Sequence, residues 1–226
     1  MRALRKGLWF VVRLLLLLWL GVHLVCALGL AALRWVDPPT TAVQAQRRIE
    51  AAIKKRRYEK RYDFVPLSRI SPDFQHAVIA AEDGRFYQHR GVDFLELRKV
   101  VEENIEEGKI GRGASTITQQ LVKNLFLTTS RSFVRKGLEF TVAPLAELIL
   151  SKQRILELYL NVIEWGPGVY GAEAAARRYY DIPARAVSRE QGARLAAIIP
   201  NPLRWRPSRM DGYAAEIQSR MSRMGW

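Results

Sequence analysis

Residues 71–91 read SPDFQHAVIAAEDGRFYQHRG, and how this stretch folds decides how the chain is read. Ser71-Pro72-Asp73 is a helix start. The hydroxyl can accept a free backbone amide, the proline ring presets the first helical residue, and the acid meets the positive end of the helix dipole. The apolar run Ala77-Val78-Ile79-Ala80-Ala81 predicts a buried helix. It ends in Glu82 and Asp83, where the dipole prefers cations. A carboxylate set against apolar surface tends to a raised pKa, which suits a general acid or base. On the pattern alone, two solvated acids at a helix end explain the pair at least as well, with His89 a structural turn residue.

Outward toward the C-terminus the periodicity stays helical. Phe94, Leu97, Val100, Val101 and Ile105 recur at helical spacing ahead of Gly108. Ser115 is expected to cap a helix through Leu121 and Leu125. A helix is predicted from Arg135 to Leu150 with a bend at Pro144, and another on Ile155, Leu158, Tyr159 and Val162. Ser188 and Gln191 have capping-box spacing. There is no sustained strand alternation, no internal repeat and no low-complexity tract. The reading is a mainly α single domain over residues 65–226.

Outward toward the N-terminus, residues 14–33 (LLLLLWLGVHLVCALGLAAL) hold no formal charge. As a helix they rise about 30 Å, the thickness of a bilayer's hydrocarbon core. Arg2, Arg5, Lys6 and Arg13 precede them and favour a cytoplasmic segment over residues 1–13, a bias that Arg34, Arg47 and Arg48 weaken. A cleaved signal peptide is the alternative, although its apolar core is usually shorter. Asp37-Pro38-Pro39-Thr40 ends the helix and opens a basic juxtamembrane linker over residues 34–64. The cations between Arg47 and Arg61 form a solvated face, or else they meet anionic lipid.

The formal charge is +14, from 36 Lys+Arg against 22 Asp+Glu. That excess also suggests nucleic acid, a partner that a location outside the membrane removes. With 49% apolar residues the chain can bury a core. Its one cysteine excludes a disulfide framework and a cysteine-based zinc site.

Three further polar clusters interrupt the amphipathic pattern. Residues 111–120 (GRGASTITQQ) form a glycine-rich turn feeding a helix N-terminus, a ready anion site, with Lys123, Arg131, Arg135 and Lys136 downstream. No Gly-Lys-Ser/Thr closes it, so it is not a Walker A loop; alone, a loop with a capped helix explains it. Arg135 to Glu139 (RKGLE) and Lys152 to Asn161 (KQRILELYLN) each could be an ordinary charged helix face. Leu125-Phe126-Leu127 and Phe133-Val134 are apolar segments flanked by cations, suited to a core or to the bilayer interface.

Together these clusters resemble the glycosyltransferase domain of peptidoglycan polymerases, the family 51 glycosyltransferases. The first family motif is matched by Glu82, Asp83, Phe86, His89 and Gly91. The second is matched by Gly113, Ser115, Thr116, Gln119 and Gln120, followed by Lys123 and Asn124. Arg135, Lys136 and Glu139 match the third, and Lys152, Ile155, Leu156, Glu157, Tyr159, Leu160 and Asn161 the fourth. The stretch GPGVYGAEAAARRYY over residues 166–180 and Pro200-Asn201-Pro202 also fit. Motif order and spacing agree from about Arg34 to Asn201, and beyond that point no site residue is carried over. No Ser-x-x-Lys with a later Lys-Thr-Gly is present, so a transpeptidase domain is not expected.

The resemblance implies a lysozyme-like helical fold with a membrane-facing jaw, lipid II and the growing glycan strand as substrates, and an inner-membrane protein whose catalytic domain lies in the periplasm. It implies Glu82 as general base and Glu139 as the second catalytic carboxylate. Lys123 and Arg131 would bind the donor's phosphates, while Ser115, Thr116, Gln119, Gln120, Arg135 and Lys136 would bind substrate and shape the site. No cofactor is obligatory; Glu139 leaves room for a divalent cation, Mg or Mn. Inner-membrane lipids and other cell-wall synthesis proteins are the partners this suggests, and nucleic acid is not one. Two rival readings stay open: a lytic enzyme that cleaves glycan with a single Glu, and a non-catalytic membrane-tethered scaffold.

Overall fold

In the computed structural model, Phe74, Ala77, Val78, Ile79 and Ala80 are buried on a helix spanning Pro72–Glu82, as residues 71–91 predict. Residues 2–106, 113–130 and 132–226 are described. Among them are ten α-helices: α1 (Arg2–Ala32), α2 (Ala42–Ile53), α3 (Pro72–Glu82), α4 (Phe94–Glu106), α5 (Ile117–Phe126), α6 (Phe133–Ile149), α7 (Lys152–Val162), α8 (Ala172–Tyr180), α9 (Arg189–Ile198) and α10 (Asp211–Arg223). The mainly α expectation holds.

α3 lies in the middle, packed against α9 and α10. α5 forms a second centre against α6, α7 and α2. Trp165, Tyr159, Tyr170, Phe74 and Phe86 are the largest fully buried side chains. Ser71 caps α3 by accepting the Phe74 amide, and Ser188 with Gln191 makes the expected capping box on α9. At α5 the cap is Thr116 rather than Ser115: Thr116 and Gln119 form a complete capping box, and the Ser115 hydroxyl meets Lys136 instead. α6 runs through Pro144 without ending there.

Three strands were not foreseen. β1 (Arg61–Tyr62), β2 (Glu164–Gly166) and β3 (Val169–Tyr170) form one small sheet with β3 central, parallel to β1 and antiparallel to β2. Strands of two or three residues are too short to show alternation. Residues 34–64 hold α2 and β1, and α2 packs on α5. Arg47 on α2 pairs with Glu164 at 3.0 Å and Glu50 at 2.9 Å, while Arg48, Lys54, Lys55, Arg56 and Arg57 are exposed, as a solvated face requires.

α1 is long and apolar enough to cross a bilayer. Residues 5–21 are exposed, whereas Cys26, Leu30 and Leu33 are buried at helical spacing. This lower part docks on α6. His23 sits there with Nδ1 2.8 Å from the Trp19 carbonyl and Nε2 2.8 Å from Thr141 Oγ1. A carbonyl only accepts, so Nδ1 carries a proton, and the Thr141 hydroxyl also lies 3.2 Å from the Gly137 carbonyl and 3.3 Å from that of Leu138. Arg154 at the start of α7 then holds the exit from α1, donating to the Leu33 carbonyl at 2.8 Å and the Val36 carbonyl at 3.0 Å, and pairing with Asp37 at 2.8 Å.

Candidate active site

The end of α3, the start of α5, the first half of α6 and one face of α10 enclose a cleft of about 1090 Å³. Glu82 and Asp83 stand side by side at its floor, and the structure separates their roles. Asp83 is buried, and its carboxylate is committed: Oδ2 accepts the Ile117 amide at 2.9 Å, and both oxygens lie 2.9–3.0 Å from His89 Nε2. Glu82 is half-buried, and Oε2 accepts from Gln120 Nε2 at 2.7 Å. No described residue hydrogen-bonds Oε1. Burial pushes the Glu82 carboxyl above the usual carboxylate range, and neighbouring Asp83 adds to this; the Gln120 bond and the Lys123 charge pull the other way.

The surrounding loop is pinned by the motif residues. The Thr116 hydroxyl accepts the Gln119 amide and donates to the Gly91 carbonyl at 2.6 Å. Gly91 has φ +89°, and a Cβ there would come within 2.7 Å of the Ala143 backbone, so only glycine fits. Gln119 is fully buried and closes the capping box with Thr116, which also lines the cleft.

The opposite wall is cationic. Lys123 on α5 lines the cleft, and no described carboxylate is within ion-pair distance of it. Burial pushes its ammonium below the ordinary lysine value, while Glu139 and Glu82 raise it. On α6, buried Glu139 is held between two cations: Arg135 Nη1 on Oε1, and Lys136 Nζ on Oε2 at 3.0 Å. Lys136 also donates to Ser115 Oγ at 2.7 Å. Arg135 and Lys136 thus flank one carboxylate, and Glu139 acts as their strut. Arg131 lies outside the described residues.

Both oxygens of Glu139 are engaged by Arg135 and Lys136. Asp83, His89 and Asp93 approach one another within 4.8 Å. They too are engaged, since Asp93 accepts from Arg85 Nε at 2.9 Å and from the amides of Leu95 and Glu96.

The fourth motif is scaffolding. Lys152 Nζ pairs with Glu147 at 2.8 Å and lies over the Phe86 ring. Glu157 accepts the Leu67 amide at 2.6 Å, and fully buried Asn161 both accepts from and donates to the Val65 backbone at 2.9 Å.

Sequence reasoning missed the wall formed by α10, where Tyr213, Arg220 and Arg223 line the cleft. Burial raises the Tyr213 phenol, and the Glu82 charge raises it further. The signal was present: the three residues recur at spacings of seven and three, on one helix face.

The family described as Transglycosylase matches residues 48–224. The chain is 48% identical over 208 residues to a biosynthetic peptidoglycan transglycosylase of Thiobacillus denitrificans, covering 90% of this chain and 86% of that one. It is 43% identical over 210 residues to a protein of the same name from Pseudomonas entomophila, covering 93% and 85%. It is 44% identical over 189 residues to another from Laribacter hongkongensis, covering 84% and 80%.

Proposed function

The chain belongs to the transglycosylase family and is a peptidoglycan glycosyltransferase of cell-wall synthesis, and from that premise we propose that Glu82 is the general base of glycan polymerisation, acting on lipid II. The observation that carries this is the unengaged Oε1 of Glu82 in a cleft whose facing wall presents Lys123, Arg135 and Lys136. Asp83, its neighbour, is spent on Ile117 and His89.

In the proposed step, ionised Glu82 takes the proton of the acceptor's GlcNAc 4-hydroxyl. The oxygen forms a bond to C1 of the donor MurNAc as the bond from C1 to the diphosphate oxygen breaks. That electron pair leaves with the polyprenyl diphosphate, and the α-linkage becomes β. The leaving group is already anionic, so it needs positive charge rather than a strong acid; Lys123 and the strutted pair Arg135 and Lys136 supply it in a partly desolvated site. Arg135's planar fork suits a phosphate better than a point charge does. Arg131 would add to the same pole by family resemblance. Glu139 holds this pole in place rather than taking a proton itself.

α1 would anchor the enzyme in the inner membrane with the catalytic domain in the periplasm. Phe133 and Val134, 98% and 76% exposed at the start of α6, give an apolar surface for the bilayer interface, where a polyprenyl-linked substrate resides. A lytic reading is not favoured: cleaving an uncharged linkage has no use for the cationic wall, and the similar proteins carry a biosynthetic name.

The test is polymerisation of lipid II by Glu82→Gln, which keeps shape and removes the base. A rate drop of about 10²–10⁴-fold is expected; near-normal strand growth would end the assignment.

A further inference from the structure

Tyr159 is fully buried on α7, behind the cleft floor. A buried phenol needs a partner. Its hydroxyl lies 2.9 Å from Gln120 Oε1, and an amide oxygen only accepts, so Tyr159 donates. The amide is fixed by both neighbours: the ionised carboxylate of Glu82 only accepts and so takes Nε2, while the phenol donates to the oxygen left facing it. With Oε1 held toward Tyr159, Nε2 must face the other way, where it donates to Glu82 Oε2 at 2.7 Å and reaches the Ser115 carbonyl at 3.5 Å. Turned over, the amide would set one acceptor against a carboxylate oxygen.

We propose that Tyr159 is a positioning residue which, through Gln120, holds Oε2 of Glu82 and so presents Oε1 to the acceptor hydroxyl. This rests on Glu82 being the base. The hydroxyl of Tyr159 is too deep to touch substrate; it acts only by holding the Gln120 amide in place against the carboxylate. One oxygen is thereby tied and the other left for chemistry, which is what a base aimed at a single proton requires.

The same chain affects when Glu82 is ionised. The charged and titratable groups facing it are Asp83 beside it, Lys123 from α5, Tyr159 from α7 and Tyr213 from α10. The Gln120 bond favours the carboxylate against the burial that disfavours it. Loss of that bond leaves burial less opposed, so the acid limb of the pH–rate profile moves to higher pH.

The experiment compares the full chain with Tyr159→Phe, Gln120→Met and Glu82→Gln. It uses lipid II in detergent micelles from about pH 5 to about pH 9, to span the acid limb. Tyr159→Phe is expected to lower kcat about 10–10²-fold with KM nearly unchanged, and to move the acid limb upward. Gln120→Met should do the same, and it carries the test should Tyr159→Phe fail to fold. Tyr170→Phe removes another buried phenol, one that meets Glu164 and Tyr58 away from the cleft, and should leave kcat and the acid limb as they are. If Glu82→Gln is inactive while Tyr159→Phe and Gln120→Met keep the original kcat and pH profile, the relay is wrong and the base stands. If Glu82→Gln polymerises normally, the base assignment falls and takes the relay with it.

Discussion

Asp83 accepts the backbone amide of Ile117 at 2.9 Å, so the end of α3 is fastened to the start of α5. The first amides of a helix lack intrahelical acceptors and carry the positive end of its dipole, and a buried carboxylate satisfies both needs. The same group receives His89, and Glu82 is the next residue along. Asp83 therefore fixes where Glu82 stands relative to Gln120 and Lys123. Asp83→Ala leaves the Ile117 amide and His89 Nε2 without partners and should cost about 2–3 kcal/mol of stability. Asp83→Asn keeps one acceptor and loses the charge, so it should cost less, about 1–2 kcal/mol. Urea denaturation in detergent checks both; alanine and asparagine variants as stable as the parent would show that this link holds nothing.

Glu82 should also exact a stability cost. Its folded pKa is raised by burial, so between its unfolded and folded values the native state binds more protons than the unfolded one. Stability then falls as pH rises through that window, and below the unfolded pKa, near 4.3, the penalty is absent. Glu82→Gln carries no such charge. The variant is expected to melt higher than the parent at neutral pH, by about 2–4 °C for each kcal/mol recovered, with the gap closing toward pH 4. Melting curves at several pH values decide it: a gap that is constant, or widest in acid, would contradict the burial argument.

The helices were legible because their cores repeat at helical spacing and their caps are local: Ser71, Ser188 and Gln191 did in the structure what their neighbours in sequence suggested. Choosing Thr116 over Ser115 at α5 was not legible. It depends on the Gly91 carbonyl, contributed from 25 residues away to hold the Thr116 hydroxyl, and on Lys136, which claims Ser115. The sheet escaped because strands of two or three residues span too few repeats to show alternation. Within the site, residue types announced a base and a cationic wall, but two adjacent carboxylates look alike on paper. Only the Ile117 and His89 contacts show that Asp83 is spent and Glu82 is not. Nor is it legible that Glu139, read as the second catalytic carboxylate, pairs with both Arg135 and Lys136.

The docking of α1 gives a last expectation. Gly29 faces Phe126, and a Cβ there would stand 2.9 Å from the ring. The ring can yield to one methyl group but not to a branched side chain wedged between α1 and the body. Gly29→Leu should therefore push α1 outward and break the His23 to Thr141 bond one and a half turns away. It should also load the Arg154 clasp on Leu33 and Val36. Overpacking of this kind costs about 1–3 kcal/mol, or roughly 2–12 °C of melting temperature in detergent for a chain of this size. Gly21 lies two turns earlier on the same helix with nothing within 4 Å of its Cβ position, so Gly21→Leu should leave the melting temperature within about 1 °C. The pair separates docking from mere lengthening of an apolar span, since both variants add the same side chain to the same helix. Equal melting for the two would mean that the lower part of α1 is a tether and not a part of the body it leans on.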